Sequence, residues 1–305
     1  MDSPNLPTHC AADTLVDLVR AELTQPVQPA VARMAAAVAA QHGDAARAVL
    51  FYGSCLREQQ LDGLMLDFYL IVSDYRAAYA ARWLATANRL IPPNVFPFVH
   101  DGLTAKYAVL SEADFARLCG PETRNVSVWA RFAQPSRLVW SADARAAAGA
   151  LAAVARAAPT LIGAAMPQCP AHGADPLAVW RTAFTLTYSA ELRAERGGRP
   201  DALVDADPAR YALFTAPVMA HAHAEVATLA ASRRRWAVRR WTGKGLTVLR
   251  LAKASLTFAG GIDYLAWKVN RHAGTAIAIT PWQRRHPILA AIILVPRLLG
   301  QGAVR

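Results

Sequence analysis

Ala48-Val49-Leu50-Phe51-Tyr52-Gly53-Ser54, followed after a short polar segment by Leu64-Met65-Leu66-Asp67-Phe68-Tyr69-Leu70-Ile71-Val72, is the stretch that decides the fold. Two apolar runs of strand length, Ala48–Tyr52 and Leu64–Val72, flank a Gly-Ser turn. The second run carries one acid, Asp67, near its start. Glycine lets backbone N–H groups approach a phosphate, and the Ser54 hydroxyl adds a hydrogen bond. If a helix opens just after Ser54, its N-terminus favours negative charge as well. A carboxylate on the neighbouring strand is then placed to hold the divalent ion that accompanies a nucleoside triphosphate. A Gly-Ser pair alone is common loop punctuation; its strand context gives it meaning.

The rest of the first 140 residues alternates helix and strand. Leu15, Val16, Leu18 and Val19, then Val31, Met34 and Val38, recur at helical spacing, with Pro26 and Pro29 breaking the stretch into two helices. Tyr75–Leu90 is expected as one helix with Trp83 and Leu84 inward, ended by Ile91-Pro92-Pro93. Phe96–Val99 and Thr104–Leu110 predict two strands joined at Asp101-Gly102, and Glu112–Cys119 a short helix capped by Ser111. A helical piece near Trp129 leads to a strand at Arg137–Trp140. Strands alternating with helices define an α/β domain over residues 1–140. From Ala142 to about Ala230 the pattern is helical, including Trp180–Glu195, which makes 141–232 a mainly helical domain.

Charge sets the last quarter apart. Residues 233–305 hold 14 of the 33 Lys and Arg but one of the 22 acids, Asp263, so the formal excess of +11 lies there. The segment is interleaved with Trp236, Trp241, Phe258, Tyr264, Trp267 and Trp282. Within Gly245–Thr257, Leu246, Leu249, Ala252 and Leu256 share one helical face while Lys244, Arg250 and Lys253 lie towards the other. Such a basic amphipathic tail suits an anionic membrane interface, where each cation contributes about 1 kcal/mol. A solvated basic face whose apolar side packs on the domain, or a nucleic-acid clamp, are the competing readings. The apolar blocks Ala276–Ile279 and Ile288–Val295 favour lipid, and no nucleic-acid partner is expected. No run of about 18–20 apolar residues long enough to span a bilayer is evident, and the acids Asp2, Asp13 and Asp17 do not fit a secretory leader. Cys10, Cys55, Cys119 and Cys169 lack metal-type spacing and suit free thiols in a reducing compartment. His221 and His223, two apart on an expected helix, diverge and form no metal cluster with the scattered remainder.

Further pieces follow the Gly-Ser turn in order: Ala105-Lys106-Tyr107-Ala108-Val109-Leu110-Ser111, Arg131-Phe132-Ala133-Gln134-Pro135, Thr187-Tyr188-Ser189-Ala190-Glu191-Leu192-Arg193 and Gly243-Lys244-Gly245-Leu246-Thr247. Over roughly residues 48–255 this resembles the mitochondrial translocator-maintenance type of phosphatidate cytidylyltransferase, a peripheral-membrane family of the nucleotidyltransferase superfamily. The chain departs from the family pattern at Ala108 and Ala190, where glycine is preferred, at Glu191, where aspartate is, and after Gly245.

The resemblance implies transfer of cytidylyl from CTP to phosphatidic acid with Mg²⁺, at the cytoplasmic face of the inner membrane. It implies that Gly53 and Ser54 hold phosphates, that Asp67 holds the metal, and that Tyr107, Arg131, Arg193 and Lys244 bind nucleotide or lipid phosphate. Lys106 stands where many nucleotidyltransferases place a third carboxylate as general base. A lipid phosphate is already anionic near neutral pH and needs a cation rather than a base, so Lys106 fits a phosphate acceptor. The superfamily usually sets two carboxylates two apart on the strand, and here Met65 fills the first place. Asp62, a strong turn residue beside Gly63, and Glu58 are the nearest spare acids. Transfer to a soluble hydroxyl, and an inactive membrane-binding relative, are the alternatives.

Overall fold

The computed structural model describes residues 9–57, 61, 63–169, 175–191, 199–257 and 279–282. The elements run α1 (His9–Leu23), α2 (Pro29–Ala40), β1 (Ala46–Tyr52), β2 (Met65–Val72), α3 (Tyr75–Ala78), α4 (Arg82–Leu90), β3 (Asn94–His100) and β4 (Leu103–Ser111). Then follow α5 (Glu112–Cys119), α6 (Trp129–Phe132), β5 (Ser136–Ser141), α7 (Ala144–Ala165), α8 (Pro176–Ser189), α9 (Arg199–Asp205), α10 (Pro208–His221) and α11 (Leu229–Thr257). The result is an α/β arrangement around a mixed five-stranded sheet of order β3-β4-β2-β1-β5. Only β2 and β4 pair in parallel; the other three ladders are antiparallel.

Strand alternation splits the core in two. Leu66, Phe68, Leu70 and Val72 of β2 join Val49, Phe51 and Val109 against Val31, Met34 and Val38 of α2. Tyr69 and Ile71 face the other way, with Leu50 and Leu110, onto α1, α5, α6 and α7. Trp180 of α8, Tyr211 and Phe214 of α10 and Trp236 of α11 extend that second core, so the helices after β5 continue the packing begun on the sheet. Local chemistry agrees with the layout. The β3–β4 turn places Asp101 (φ 49°) and Gly102 (φ 75°) in left-handed conformations, as a two-residue hairpin requires. Pro97, which cannot donate to a ladder, sits in β3 at the sheet edge. The Ser111 hydroxyl accepts from Asp114 N at 3.2 Å and caps α5.

Four expectations need correction. The helix foreseen over Tyr75–Leu90 is two, α3 and α4, because Tyr79 turns extended (φ −128°, ψ 125°) and buries its ring. Its hydroxyl accepts from Asn88 Nδ2 at 3.0 Å. Trp83 points outward, half exposed, while Ala85 and Asn88 form the buried face of α4. The helix at Trp180 ends at Ser189, so Glu191 lies beyond it. Finally, Ala144–Gln168, α7 and the short turn after it, is long and apolar enough to cross a membrane by composition (hydropathy 1.4), yet 67% of its apolar 18-residue window is buried inside the fold. Alanine, small and favourable to helix, lets neighbours approach it closely and accounts for that composition.

α1 and α10 are tied by a buried ion pair. The Arg210 guanidinium takes Glu22 with both Nε and Nη2, the latter at 3.0 Å, and donates from Nη1 to the Ala133 carbonyl at 3.2 Å. Both side chains are under 10% exposed (8% and 9%), so removing one partner strands the other in a dry site. Glu22→Ala is expected to lower the unfolding free energy by about 3–5 kcal/mol. Urea titration followed by circular dichroism measures this; a loss below about 1 kcal/mol would show that water reaches the pair.

Candidate active site

β1 delivers its last residue to the acid of β2: Tyr52 pairs with Asp67, and the chain then turns at Gly53 with φ +96°. A Cβ at Gly53 would lie 3.2 Å from Asp67 Oδ2, so the position needs glycine both for its backbone conformation and for the approach of the carboxylate. Ser54 is exposed and opens a single 3-10 turn, Ser54–Arg57, rather than the α-helix that would have supplied a dipole. Any anion held here therefore depends on the turn's N–H groups and the serine hydroxyl.

Across the parallel ladder Asp67 pairs in register with Lys106, whose Nζ stands 3.0 Å from Asp67 Oδ1. Both side chains are partly buried, at 21% and 27% exposure, which makes the pair stronger than a surface one and leaves it open to a ligand. Asp67 thus offers one oxygen to Lys106 and turns the other towards the Gly53 backbone.

A second group of charges lies beyond Tyr52. Arg131 sits over the Tyr52 ring at 5.5 Å and donates from Nη1 to Tyr69 Oη at 3.1 Å and to the Ser127 carbonyl at 3.0 Å. Burial opposes its charge, but the Tyr69, Tyr52 and Glu191 oxygens more than offset this, so its pKa stands well above the ordinary value. Burial, then the charge of Asp67, pushes the Tyr52 hydroxyl up. α11 adds two cations from the far side. Arg250 donates from Nε to the Pro92 carbonyl at 2.8 Å and from Nη1 to Ser127 Oγ at 3.0 Å. Lys253 donates to the carbonyls of Ile91 and Pro93, the latter at 2.8 Å. Burial, then the charge of Arg250, pushes Lys253 down to about 7.

The structure brings Gly53, Ser54, Asp67 and Lys106 to one corner, with Arg131 behind Tyr52. It does not bring Tyr107 there. Adjacent strand residues face opposite ways, and Tyr107 lies in the α2-side core, its hydroxyl 3.3 Å from His42 Nε2. Lys244 is exposed on α11. Arg193, Asp62 and Glu58 lie outside the described residues. Arg250 and Lys253 were read as the cationic side of a helix lying in a membrane interface, whereas Lys253 is buried (7%) within the fold; Leu249 is exposed (51%). α11 turns that charged side inward because the carbonyls of 91–93 and Ser127 give its donors partners there. Gly243 seats it: a Cβ there would strike the Ala190 carbonyl, so the helix crosses the end of α8 in direct backbone contact, beside Glu191. Ser127, Tyr69 and Arg250 were missed as site residues; spacing on α11 showed a charged side without showing which way it faced.

A separate cavity of about 500 Å³ lies between α1, α7 and α11, lined by Leu15, Pro159, His221, His223 and Arg239 among others. Its charges are paired internally, Arg239 with Glu225 and Arg156 with Glu122, and it shares none of the residues above. His223 falls past the end of α10, and among the described residues no three His, Cys, Asp or Glu gather as a metal cluster. No protein-family model matches the chain, and no curated protein matches it.

Gly53→Ala is expected to lower stability by about 1–3 kcal/mol, the cost of a left-handed alanine, with further displacement of Asp67. Denaturant unfolding reads the first effect. An unchanged midpoint would mean the turn relaxes freely and does not fix the carboxylate.

Proposed function

We propose that the protein is a phosphatidate cytidylyltransferase, joining CTP and phosphatidic acid into CDP-diacylglycerol and releasing pyrophosphate for phospholipid synthesis. The observation that carries the reading is the corner itself: a left-handed Gly53 against Asp67, with a lysine rather than a carboxylate facing that acid across the ladder. Asp67 suits Mg²⁺ as a hard oxygen donor beside substrate phosphates, since this ion is often held by one or two carboxylates plus the nucleotide. When bound, Mg²⁺ would neutralise charge on the triphosphate; Asp67 is the residue that would hold it.

The chain's own part is positioning and charge. Gly53 and Ser54 hold the β- and γ-phosphates through N–H groups and a hydroxyl. An oxygen of the lipid phosphate attacks the α-phosphorus in line, forming a new P–O bond while the bond to the β-phosphate oxygen breaks and pyrophosphate leaves. The attacking oxygen is already ionised near neutral pH, so no base takes a proton from it. Lys106 and Arg131 offset the repulsion between two anions. On this reading Lys106 exchanges its hold on Asp67 for the incoming phosphate as the substrates arrive.

α11 supports a lipid acceptor. Its inner side is charged and its outer side carries Val238 (46% exposed), Trp241 (83%) and Leu249 (51%), which fall on one helical stripe. Arg233, Arg234 and Lys244 are exposed on the same helix. An apolar stripe with exposed basic residues fits peripheral attachment to an anionic surface, here the cytoplasmic face of the inner membrane.

Two measurements test this. Purified protein with labelled CTP, Mg²⁺ and phosphatidic acid vesicles should yield CDP-diacylglycerol; Asp67→Ala should yield none, and Lys106→Ala should be slower by about 10²–10³-fold, the usual effect of removing one electrostatic stabiliser. No product from the wild type, or full activity in Lys106→Ala, overturns the proposal. Separately, Trp241→Ser/Leu249→Ser should sediment with anionic vesicles about tenfold less than wild type, because each loses apolar area that would be buried in lipid. Equal sedimentation would remove α11 from the interface.

A further inference from the structure

Ser127 joins two guanidinium groups. Its carbonyl accepts from Arg131 Nη1 and its hydroxyl from Arg250 Nη1, each at 3.0 Å, so one residue spaces the two forks. Neither fork is used up. Arg131 Nη1 also reaches Tyr69, but its Nε and Nη2 make no hydrogen bond among the described residues, and neither does Arg250 Nη2. Lys253, pushed down to about 7 by burial and by Arg250, adds part of a further positive charge near neutral pH. Against these, Glu191 is the carboxylate whose field reaches both arginines. The group therefore holds more positive than negative charge in a partly dry site, with planar donors left over. Such an arrangement wants an anion with several oxygens and more than one charge.

Resting on the cytidylyl-transfer reading, we infer that Arg131 and Arg250, spaced by Ser127, form a second anion subsite that takes the phosphate monoester of the acceptor. The Gly53–Asp67 corner takes the triphosphate. Tyr52 adjoins both: Arg131 lies over its ring at 5.5 Å, and Asp67, its ladder partner, acts by its charge on the Tyr52 hydroxyl. Arg250 comes from α11, about 100° around the helix from Leu249, which with Val238 and Trp241 forms the exposed stripe. A phosphate whose apolar remainder lies along that helix would enter at Arg250 and meet the α-phosphorus of the nucleotide near Lys106. This divides the cations by role: Lys106 serves both anions, and Arg250 selects the acceptor.

Equilibrium dialysis with radiolabelled inorganic phosphate, and separately with labelled CTP, tests the division without requiring turnover. Wild type should bind both. Arg250→Gln should weaken phosphate binding about tenfold, as loss of a charge-assisted contact does, and leave CTP binding within about twofold. Arg250→Lys, which keeps the charge and loses the fork, should fall between, and it stands in if Arg250→Gln fails to fold by circular dichroism. In turnover the same variants should raise the KM for the acceptor and leave that for CTP unchanged. A rise with phosphatidic acid vesicles and with soluble glycerol 3-phosphate alike assigns the effect to the phosphate, and one confined to vesicles overturns the subsite. Phosphate binding equal in wild type and variants, or CTP binding lost in step with phosphate, also overturns it. Arginine-dependent phosphate binding in a protein that makes no CDP-diacylglycerol would keep the subsite and remove the cytidylyl-transfer reading.

Discussion

Asp67 and Lys106 meet only because β2 and β4 run in the same direction, in register, inside a sheet whose other ladders are antiparallel. A parallel neighbour cannot be reached by a hairpin, so the chain must cross over between them. α3, α4 and β3 make that crossing, and β3 then pairs back onto β4 through the Asp101-Gly102 turn. A slip of one residue would turn Lys106 into the apolar core and Tyr107 into the site, since successive strand residues face opposite ways. Register is held against that slip by burial. Leu66, Phe68, Leu70 and Val109 on one face, and Tyr69, Ile71 and Leu110 on the other, cannot exchange places without exposing the whole set. The half-buried charge pair is thus fixed by the apolar residues on either side of it.

Much of this was legible before any coordinates. The strand pair around Gly53, the hairpin at Asp101-Gly102 and the Ser111 cap follow from local chemistry that tertiary packing does not override. The resemblance carried Lys106 and Tyr107 together, but strand alternation puts them on opposite faces of β4, and that separation was readable from the sequence. Other differences were not. Trp83 is exposed because Asn88, which bonds Tyr79, the Val109 carbonyl and the Asn94 backbone N–H, claims the inward face of α4. A polar side chain with that many distant partners leaves no periodic trace. The break at Tyr79 has the same origin, a contact made with α4 rather than with its own turn.

α11 is the instructive case. Hydrophobic periodicity assigns the apolar side of a helix to the interior, and here Leu249 is outside while Arg250 and Lys253 are inside. The rule assumes that the interior offers only apolar surface. Where a helix passes over carbonyls at the end of a sheet and a serine hydroxyl, each charged hydrogen bond contributes roughly 1.5–3 kcal/mol, about what burying a leucine does, so two such bonds per cation can offset the cost of its burial. Glycine at 243 brings the backbone close enough for them to reach.

On the proposed cytidylyl-transfer reading, that inversion also bears on how a membrane interface and the reaction centre would communicate. Leu249 and Arg250 are neighbours in the chain, so a rotation or shift of α11 that seats Trp241 and Leu249 in an apolar surface moves Arg250 relative to Ser127 in the same step. The helix is not free to turn independently, because Trp236 Nε1 donates to the Ala164 carbonyl at 3.0 Å and Arg239 is clamped by Glu225 with two bonds of 2.7 Å. Those anchors lie in its first half, whereas Arg250 and Lys253 hold its second half through bonds to three carbonyls and one hydroxyl. A ligand shifts an equilibrium only by its differential affinity for the two states, so on this reading lipid contact would favour the catalytic arrangement only as far as it holds Leu249 more tightly in that arrangement. The covalent link between Leu249 and Arg250 would then carry the shift to the guanidinium.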